Sequence, residues 1–270
     1  MTRSSLFCFD IDRGSWERIF QSPGAFEPLI RAVFDRHGLD FFEIETLTPG
    51  TNAVFKAGDK VVKIFAPEES GFYDIDYFEI EKQAQAHIDN CGVTTPKLLF
   101  SGVVEDKYLF RYFVMEFIGG QATGEKVKSY SDEQKSDFAA RILDISGKIN
   151  VSIKRAAIPV LSKSACLSSE RWRWKASPVS FCDERAFVIQ SMSFDNPVYV
   201  HGDLTADNVI IDDNGGICLI DFEDSLIAPY FYEWPPIVFD LFKRDPAMMA
   251  AYFGSYRNDA FYERLTVEST

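Results

Sequence analysis

Long apolar runs are missing from this chain. The best stretch, YLFRYFVMEFI (residues 108–118), is interrupted by Arg111 and Glu116, so no segment reads as a membrane-spanning helix. Paired cysteines are missing too. Cys8, Cys91, Cys166, Cys182 and Cys218 are odd in number, scattered and never spaced C-x-x-C. With only His37, His87 and His201 beside them, neither a disulfide framework nor a structural zinc site is readable. Buried free thiols in a reducing cytoplasm are the expectation. Positive charge is scarce: 28 basic residues stand against 41 acidic, a formal charge of -13. That excludes nucleic acid and anionic membrane as natural partners and is compatible with a cationic small molecule, although many soluble proteins are simply acidic. The opening MTRSSLFCFDIDRG places Asp10 and Asp12 where a signal peptide needs an apolar core, so a cytoplasmic location is expected.

What is present is a chain of 270 residues with 46% apolar content and 25 phenylalanines. It is long enough to bury a large core or two lobes. No repeat or low-complexity linker divides it. The pattern instead changes character near residue 118. Before it, GSWERIF and GAFEPLIRAVFDRHG read as two helices, the second closed by Gly38. Strands follow over 41–47, 52–58 and 59–65, the last two joined at Gly58-Asp59 by a hairpin turn. A helix over 71–92 and two strands over 96–104 and 107–118 complete this part, with Glu105-Asp106 near their turn. After Gly119-Gly120 helices dominate. Ser131 and Gln134 have capping-box spacing, and Phe138, Ile142, Ile145 and Ile149 recur at helical intervals. The chain closes on helices around IVFDLF and AMMAAYFGSY. The expected architecture is α+β: an antiparallel-sheet N-lobe over 1–118 and a mostly helical C-lobe over 119–270. The connector would floor a cleft of the kind that binds ligands.

The chemistry concentrates in VHGDLTADNVIID (200–212) and CLIDFED (218–224). Asp203, Asn208 and Asp221 interrupt apolar runs suited to a buried sheet, and bare carboxylates are costly to bury unless something binds them. The DDNGG turn between the two runs makes them antiparallel neighbours. Asn208 and Asp221 then come to the same end of the hairpin, where a hard cation would find an amide oxygen and a carboxylate. Asp203, outside that metal set, is available to accept a proton from a hydroxyl.

HGDLTADN followed by IDFED resembles the catalytic loop and metal segment of the aminoglycoside phosphotransferase and choline kinase superfamily, relatives of the protein kinases. The Asp-to-Asn spacing is the protein-kinase one. Gly202 replaces the kinase Arg, and Glu223 stands where protein kinases have the Gly of D-F-G. The resemblance, over roughly residues 45–245, implies a protein-kinase-like bilobal fold and magnesium-dependent transfer of a phosphoryl group from ATP or GTP to a small-molecule hydroxyl. It implies Asp203 as the catalytic residue and Asn208 and Asp221 as metal ligands. Lys63 in KVVKIF would reach the α- and β-phosphates, with Val61 against the adenine. A helical glutamate should hold Lys63. Glu79 and Glu81 lie about 200° apart on a helix, and the family pattern favours Glu81. The loop TPGTNAVF, through Thr51 and Asn52, would cover the phosphates. In VMEFIGG, the Glu116 carbonyl and Ile118 N–H would read the adenine, with Met115 behind it and Ile210 and Ile220 closing the pocket.

For the acceptor, the carboxylates of Asp207, Glu223, Asp224, Glu233 and Asp245 would suit a polycation such as an aminoglycoside. Glu223, Asp224 and Glu233 are the expected substrate contacts. RWRWK (171–175) reads as either a packed helix or a stacking surface. A choline, amino-alcohol or sugar kinase is the second enzyme reading, and a nucleotide-binding pseudokinase the non-enzymatic one.

Overall fold

The computed structural model describes residues 5–48, 50–72, 75–168 and 177–254. Pro49 and the RWRWK stretch lie outside the described residues. The chain divides into two compact units, Met1–Glu79 with Pro96–Gly119, and Ile80–Thr95 with Gly120–Thr270. The expected boundary at 118 therefore needs one correction: the segment Ile80–Thr95 goes with the second unit. The reason is packing, because Ala84, Ile88 and Val93 are buried in that unit's apolar core.

The first unit opens with α1 (Arg13–Ile19) and α2 (Pro23–His37). Asp12 caps α1 through a reciprocal box with Ser15, and Gly38 caps α2. Strands β1 (Ile44–Thr46), β2 (Ala53–Ala57), β3 (Lys60–Ile64), β4 (Leu98–Glu105) and β5 (Leu109–Glu116) form one antiparallel sheet in the order β1-β2-β3-β5-β4. Ala57 pairs with Lys60, so Gly58-Asp59 is the two-residue hairpin loop expected. Period-two alternation then sorts the side chains. Val62 and Ile64 enter a core with Phe26, Leu29, Ile30 and Phe55, while Phe65, and the partly buried Val61, pack on Phe78, Phe113 and Met115. Asp106, in the β4–β5 turn, accepts from the Ser5 hydroxyl and the N–H groups of Leu6 and Phe7. Burial alone would raise its pKa. The N–H of Phe7, the Ser5 hydroxyl and two further backbone donors outweigh burial and hold it at about 2.

Some expected boundaries shift. The first strand is only three residues long, at 44–46 rather than 41–47. The helix expected over 71–92 is α3, Tyr77–Asn90. Asp76 sets its start by accepting the Glu79 N–H at 3.2 Å, a side-chain cap that competes with further helix upstream.

The second unit is held by α5 (Asp132–Ile149) and α8 (Pro246–Phe253). Ser131 and Gln134 form the capping box of α5, and Phe138, Ile142 and Ile149 are buried. Two small antiparallel arrays sit beside this core. One has the order β6 (Gly120–Ala122), β8 (Val209–Asp212), β9 (Ile217–Leu219); the other pairs β7 (Val198–Val200) with β10 (Leu226–Ala228). Strands β6, β7 and β10 are three residues each, too short for an apolar period to mark them. Helices α4 (Thr123–Lys126), α6 (Lys163–Ser168) and α7 (Val179–Ser191) also belong to this unit. All five cysteines are free, but only Cys218 is buried and Cys8 is exposed, which corrects the expectation of uniformly buried thiols. Burial pushes the Cys218 thiol up to about 12, so it is inert at neutral pH.

Ile142 is fully buried in the second core. Ile142→Ala is expected to cost about 2–5 kcal/mol. Urea denaturation should show a lower midpoint with an unchanged slope.

Candidate active site

The loop between β7 and β8 alternates between anchors and presented groups. Leu204 and Ala206 are buried in the second core, and Asn208 is 8% exposed. Driving Leu204 and Ala206 inward turns Asp203 outward, where it is half-buried. Local hydrogen bonds then fix the turn: Thr205 N–H to the Asp203 carbonyl at 2.8 Å, and Asn208 N–H to the Thr205 carbonyl at 3.2 Å. The Asn208 amide nitrogen donates to the Asp203 carbonyl at 2.9 Å and to Asp203 Oδ2 at 2.8 Å. Its oxygen is thereby assigned to the opposite side of the amide.

His201 is fully buried behind this loop. Its Nε2 meets the Ile220 carbonyl at 3.1 Å, so Nε2 carries the hydrogen. Nδ1 then accepts the Asp203 N–H at 3.4 Å. Burial pulls the imidazole down to about 4, and it stays neutral at working pH. His201 is thus a brace between the two motif strands and not a base. Gly202 has φ +86°, and a Cβ there would lie 2.1 Å from the Asp224 carbonyl oxygen. The backbone after the second motif rests directly on the first, which explains why no larger residue stands at 202.

The hairpin register pairs Val209 with Leu219, and Ile220 N–H donates to the Asn208 carbonyl at 3.0 Å. Asn208 and Asp221 therefore leave the hairpin at one end. Asp221 lies two residues beyond β9 rather than at its tip, and its φ of +64° turns the chain sharply there. Carboxylate oxygens of Glu81, Asp221 and Glu223 lie within 4.8 Å of one another. Hard oxygen donors at this density fit a divalent cation of the magnesium type. Val209, Ile211 and Leu219 face the core, whereas Ile210 and Ile220 are only half-buried on β8 and just past β9.

Apart from Glu81, which goes with the second unit, the remaining expected nucleotide residues belong to the first unit. Lys63 is 4% exposed on β3, with its ammonium 5.2 Å from the Phe65 ring centroid. Val61 pairs with Met115 in the β3–β5 register. Glu116 ends β5 and donates its N–H to the Lys97 carbonyl, and Phe117 N–H, just before Ile118, goes to the Asp59 carbonyl. Asn52 is buried, and its Oδ1 accepts the Ala66 N–H at 2.9 Å, so its oxygen fastens the loop to the chain beyond β3. The Thr51 carbonyl accepts the Trp16 indole N–H at 3.0 Å. Of the two glutamates at the start of α3, Glu81 is 3% exposed and Glu79 is half-buried.

The model of the phosphotransferase enzyme family matches residues 50–265. The chain belongs to that family. Solved structures agree on the fold, an α+β protein-kinase-like one. The GDP and kanamycin complex of APH(2")-IIia matches with a TM-score of 0.67 at 19% identity, over 90% of this chain and 87% of that one. The streptomycin-ATP-APH(2")-IIa ternary complex matches at 0.60 and 15%, over 87% and 85%. A thermostable mutant of APH(4)-Ia in its apo form matches at 0.64 and 13%, over 88% and 86%. No curated protein matches the chain in sequence. Among the described residues, no helix is long and apolar enough to cross a membrane.

In this phosphotransferase two of the carboxylates weighed for the acceptor need correction, the expected contact Glu233 and the wider candidate Asp245. Glu233 is 1% exposed. Its Oε2 accepts the His201 N–H at 2.7 Å and its Oε1 the Gly202 N–H at 3.1 Å, so it faces inward and cannot meet an acceptor amine. Asp245 caps α8 through Ala247 and Met248 N–H and pairs with Lys135 at 2.7 Å. Asp207 and Asp224 are exposed, and Glu223 is half-buried. Two contributors were missed. Asp240, in the π-helical turn Pro236–Leu241, accepts the Ala206 N–H at 2.7 Å. Thr123 donates both its N–H and its hydroxyl to the Ala206 carbonyl. An aspartate inside the apolar run IVFDLF was the readable signal for the first; nothing local marked the second. Burial, then the charges of Asp224, Asp221 and Asp240, raise the Asp203 pKa.

Gly202→Ala is expected to lower thermal stability by about 1–3 kcal/mol from backbone strain alone, with the Asp224 contact adding to it. A melting temperature equal to that of the unmodified protein would show that the close approach is not held in solution.

Proposed function

We propose that the protein transfers the γ-phosphoryl group of ATP or GTP to a hydroxyl of a small molecule, an aminoglycoside-type antibiotic being the first acceptor class. The observation that carries this reading is the Asp203–Asn208 hydrogen bond. It holds an outward carboxylate of raised pKa beside an amide and the Asp221 carboxylate at the hairpin end. In this reading Asp203 aligns the acceptor hydroxyl and takes its proton. The hydroxyl oxygen bonds to the γ-phosphorus as the bond to the β–γ bridging oxygen breaks, and the nucleoside diphosphate leaves. Such a transition state is loose, so positioning does most of the work. Asn208 and Asp221 would hold magnesium, which when bound supplies charge neutralisation at the phosphates. Lys63 would anchor the phosphates that are not transferred. Thr51 and Asn52 would cover them. Val61, Met115, Glu116, Ile118, Ile210 and Ile220 would take the base. Similar solved structures hold GDP with kanamycin, ATP with streptomycin, or ADP, which supports the nucleotide and acceptor classes.

A choline, amino-alcohol or sugar kinase is the second reading. It gains from the inward orientation of Glu233 and the Lys135 pairing of Asp245, which leave fewer carboxylates for a polycation. Of the expected contacts, Glu223 and Asp224 would still serve the acceptor. The simultaneous presence of Lys63, Asp203, Asn208 and Asp221 speaks against a pseudokinase.

Asp203→Ala is expected to abolish transfer while nucleotide binding persists. Magnesium-dependent thermal stabilisation by ATP or GTP should be seen in both proteins. Turnover by the variant equal to that of the parent would remove Asp203 from the chemistry. A nucleotide-consumption screen over aminoglycosides, macrolides, choline and common sugars separates the two acceptor readings.

A further inference from the structure

We propose that Glu233 is a positioning residue, setting the geometry of Asp203 through the backbone N–H groups of His201 and Gly202, and that it does so fully only as a carboxylate. This rests on the reading of Asp203 as proton acceptor. Glu233 lies in the 3-10 turn Tyr230–Glu233, 32 and 31 positions beyond the two residues it grips. Its two oxygens take the two consecutive N–H groups immediately before Asp203, one each. The Asn150 amide adds a weaker contact to Oε2 at 3.4 Å. An ionised carboxylate offers acceptors on both oxygens. A protonated one turns one oxygen into a donor, which then faces an N–H, and one grip is lost. The loop would relax at the residue preceding Asp203.

The surroundings make this protonation reachable near neutrality. Burial comes first in raising the Glu233 pKa; the His201 and Gly202 N–H groups and Asn150 oppose it, and the Asp203 charge adds to the rise, leaving it at about 7. The other titratable groups around it are Tyr199 on β7, fully buried; His201, neutral; and Tyr252 on α8, whose hydroxyl pKa is raised to about 12. Among these described neighbours, none supplies a cation at neutral pH to hold the carboxylate ionised. The folded state binds this proton more tightly than the unfolded chain, so Glu233 favours the fold increasingly as pH drops from about 7 toward the ordinary glutamate range, and disfavours it as pH rises. Ionised Glu233 is therefore a cost to the fold, and the geometry of the Asp203 loop is what it secures. His201 acts in the opposite direction, its low pKa costing stability as pH falls through roughly 6.5 toward 4. Only the difference between parent and Glu233→Gln isolates the Glu233 contribution.

The test uses the full chain, labelled with 15N, in a pH titration through neutrality. The His201 and Gly202 amide signals should move together with one midpoint well above the free glutamate range, and Glu233→Gln should abolish that movement. In parallel, nucleotide hydrolysis or transfer by Glu233→Gln should show kcat lower by roughly 10- to 100-fold, with nucleotide KM unchanged and the acid-side fall in rate near neutrality gone. Amides that do not move, or that move identically in the variant, overturn the proposal, as does parental kcat in the variant. If Glu233→Gln does not fold, the parent titration alone decides by the presence or absence of the shared midpoint. Shared amide titration in a protein with no turnover on any acceptor would support the Glu233 link while overturning the phosphotransfer reading.

Discussion

The second unit depends on satisfying the backbone of one eight-residue loop. Leu204 and Ala206 enter the apolar core and carry their peptide groups with them. A buried N–H or carbonyl left without a partner costs about 1–3 kcal/mol. The loop meets this demand from distant parts of the chain: Glu233 for residues 201 and 202, Asp240 and Thr123 for Ala206. Outward presentation of Asp203 follows from that inward anchoring. The Asp203 carboxylate is placed by the groups around it more than by its own contacts.

Electrostatics sharpen the same point. Asp203 is half-buried among the charges of Asp224, Asp221 and Asp240, all of one sign. Like charges this near raise one another's proton affinity and make cation binding favourable. An acidic chain, with a formal charge of -13, concentrates part of that charge where the proposed chemistry needs a divalent ion and an accepted proton. The two corrected carboxylates show the opposite use of the same residue type. Glu233 holds backbone, and Asp245 starts a helix and pairs with Lys135.

The first unit answers a different need. Its sheet sorts the side chains of β3 by alternation and leaves one lysine buried. Val62 and Ile64 face a phenylalanine-rich core on α2, while Lys63 keeps company with Phe65 near the smaller cluster of Phe78, Phe113 and Met115.

The sequence by itself determined the family motif, the Gly58-Asp59 and 212–216 turns, the α5 capping box and the shared hairpin end of Asn208 and Asp221. These are local: each is written in residues a few positions apart, within reach of turn chemistry and side-chain period. Only the tertiary structure decided that Glu233 faces inward, that Asp240 and Thr123 share the loop, that Ile80–Thr95 packs in the second core, and that His201 is neutral. Each of these depends on groups roughly 20 to 100 positions apart meeting in a low-dielectric interior, where burial decides which carboxylates meet solvent and which meet backbone.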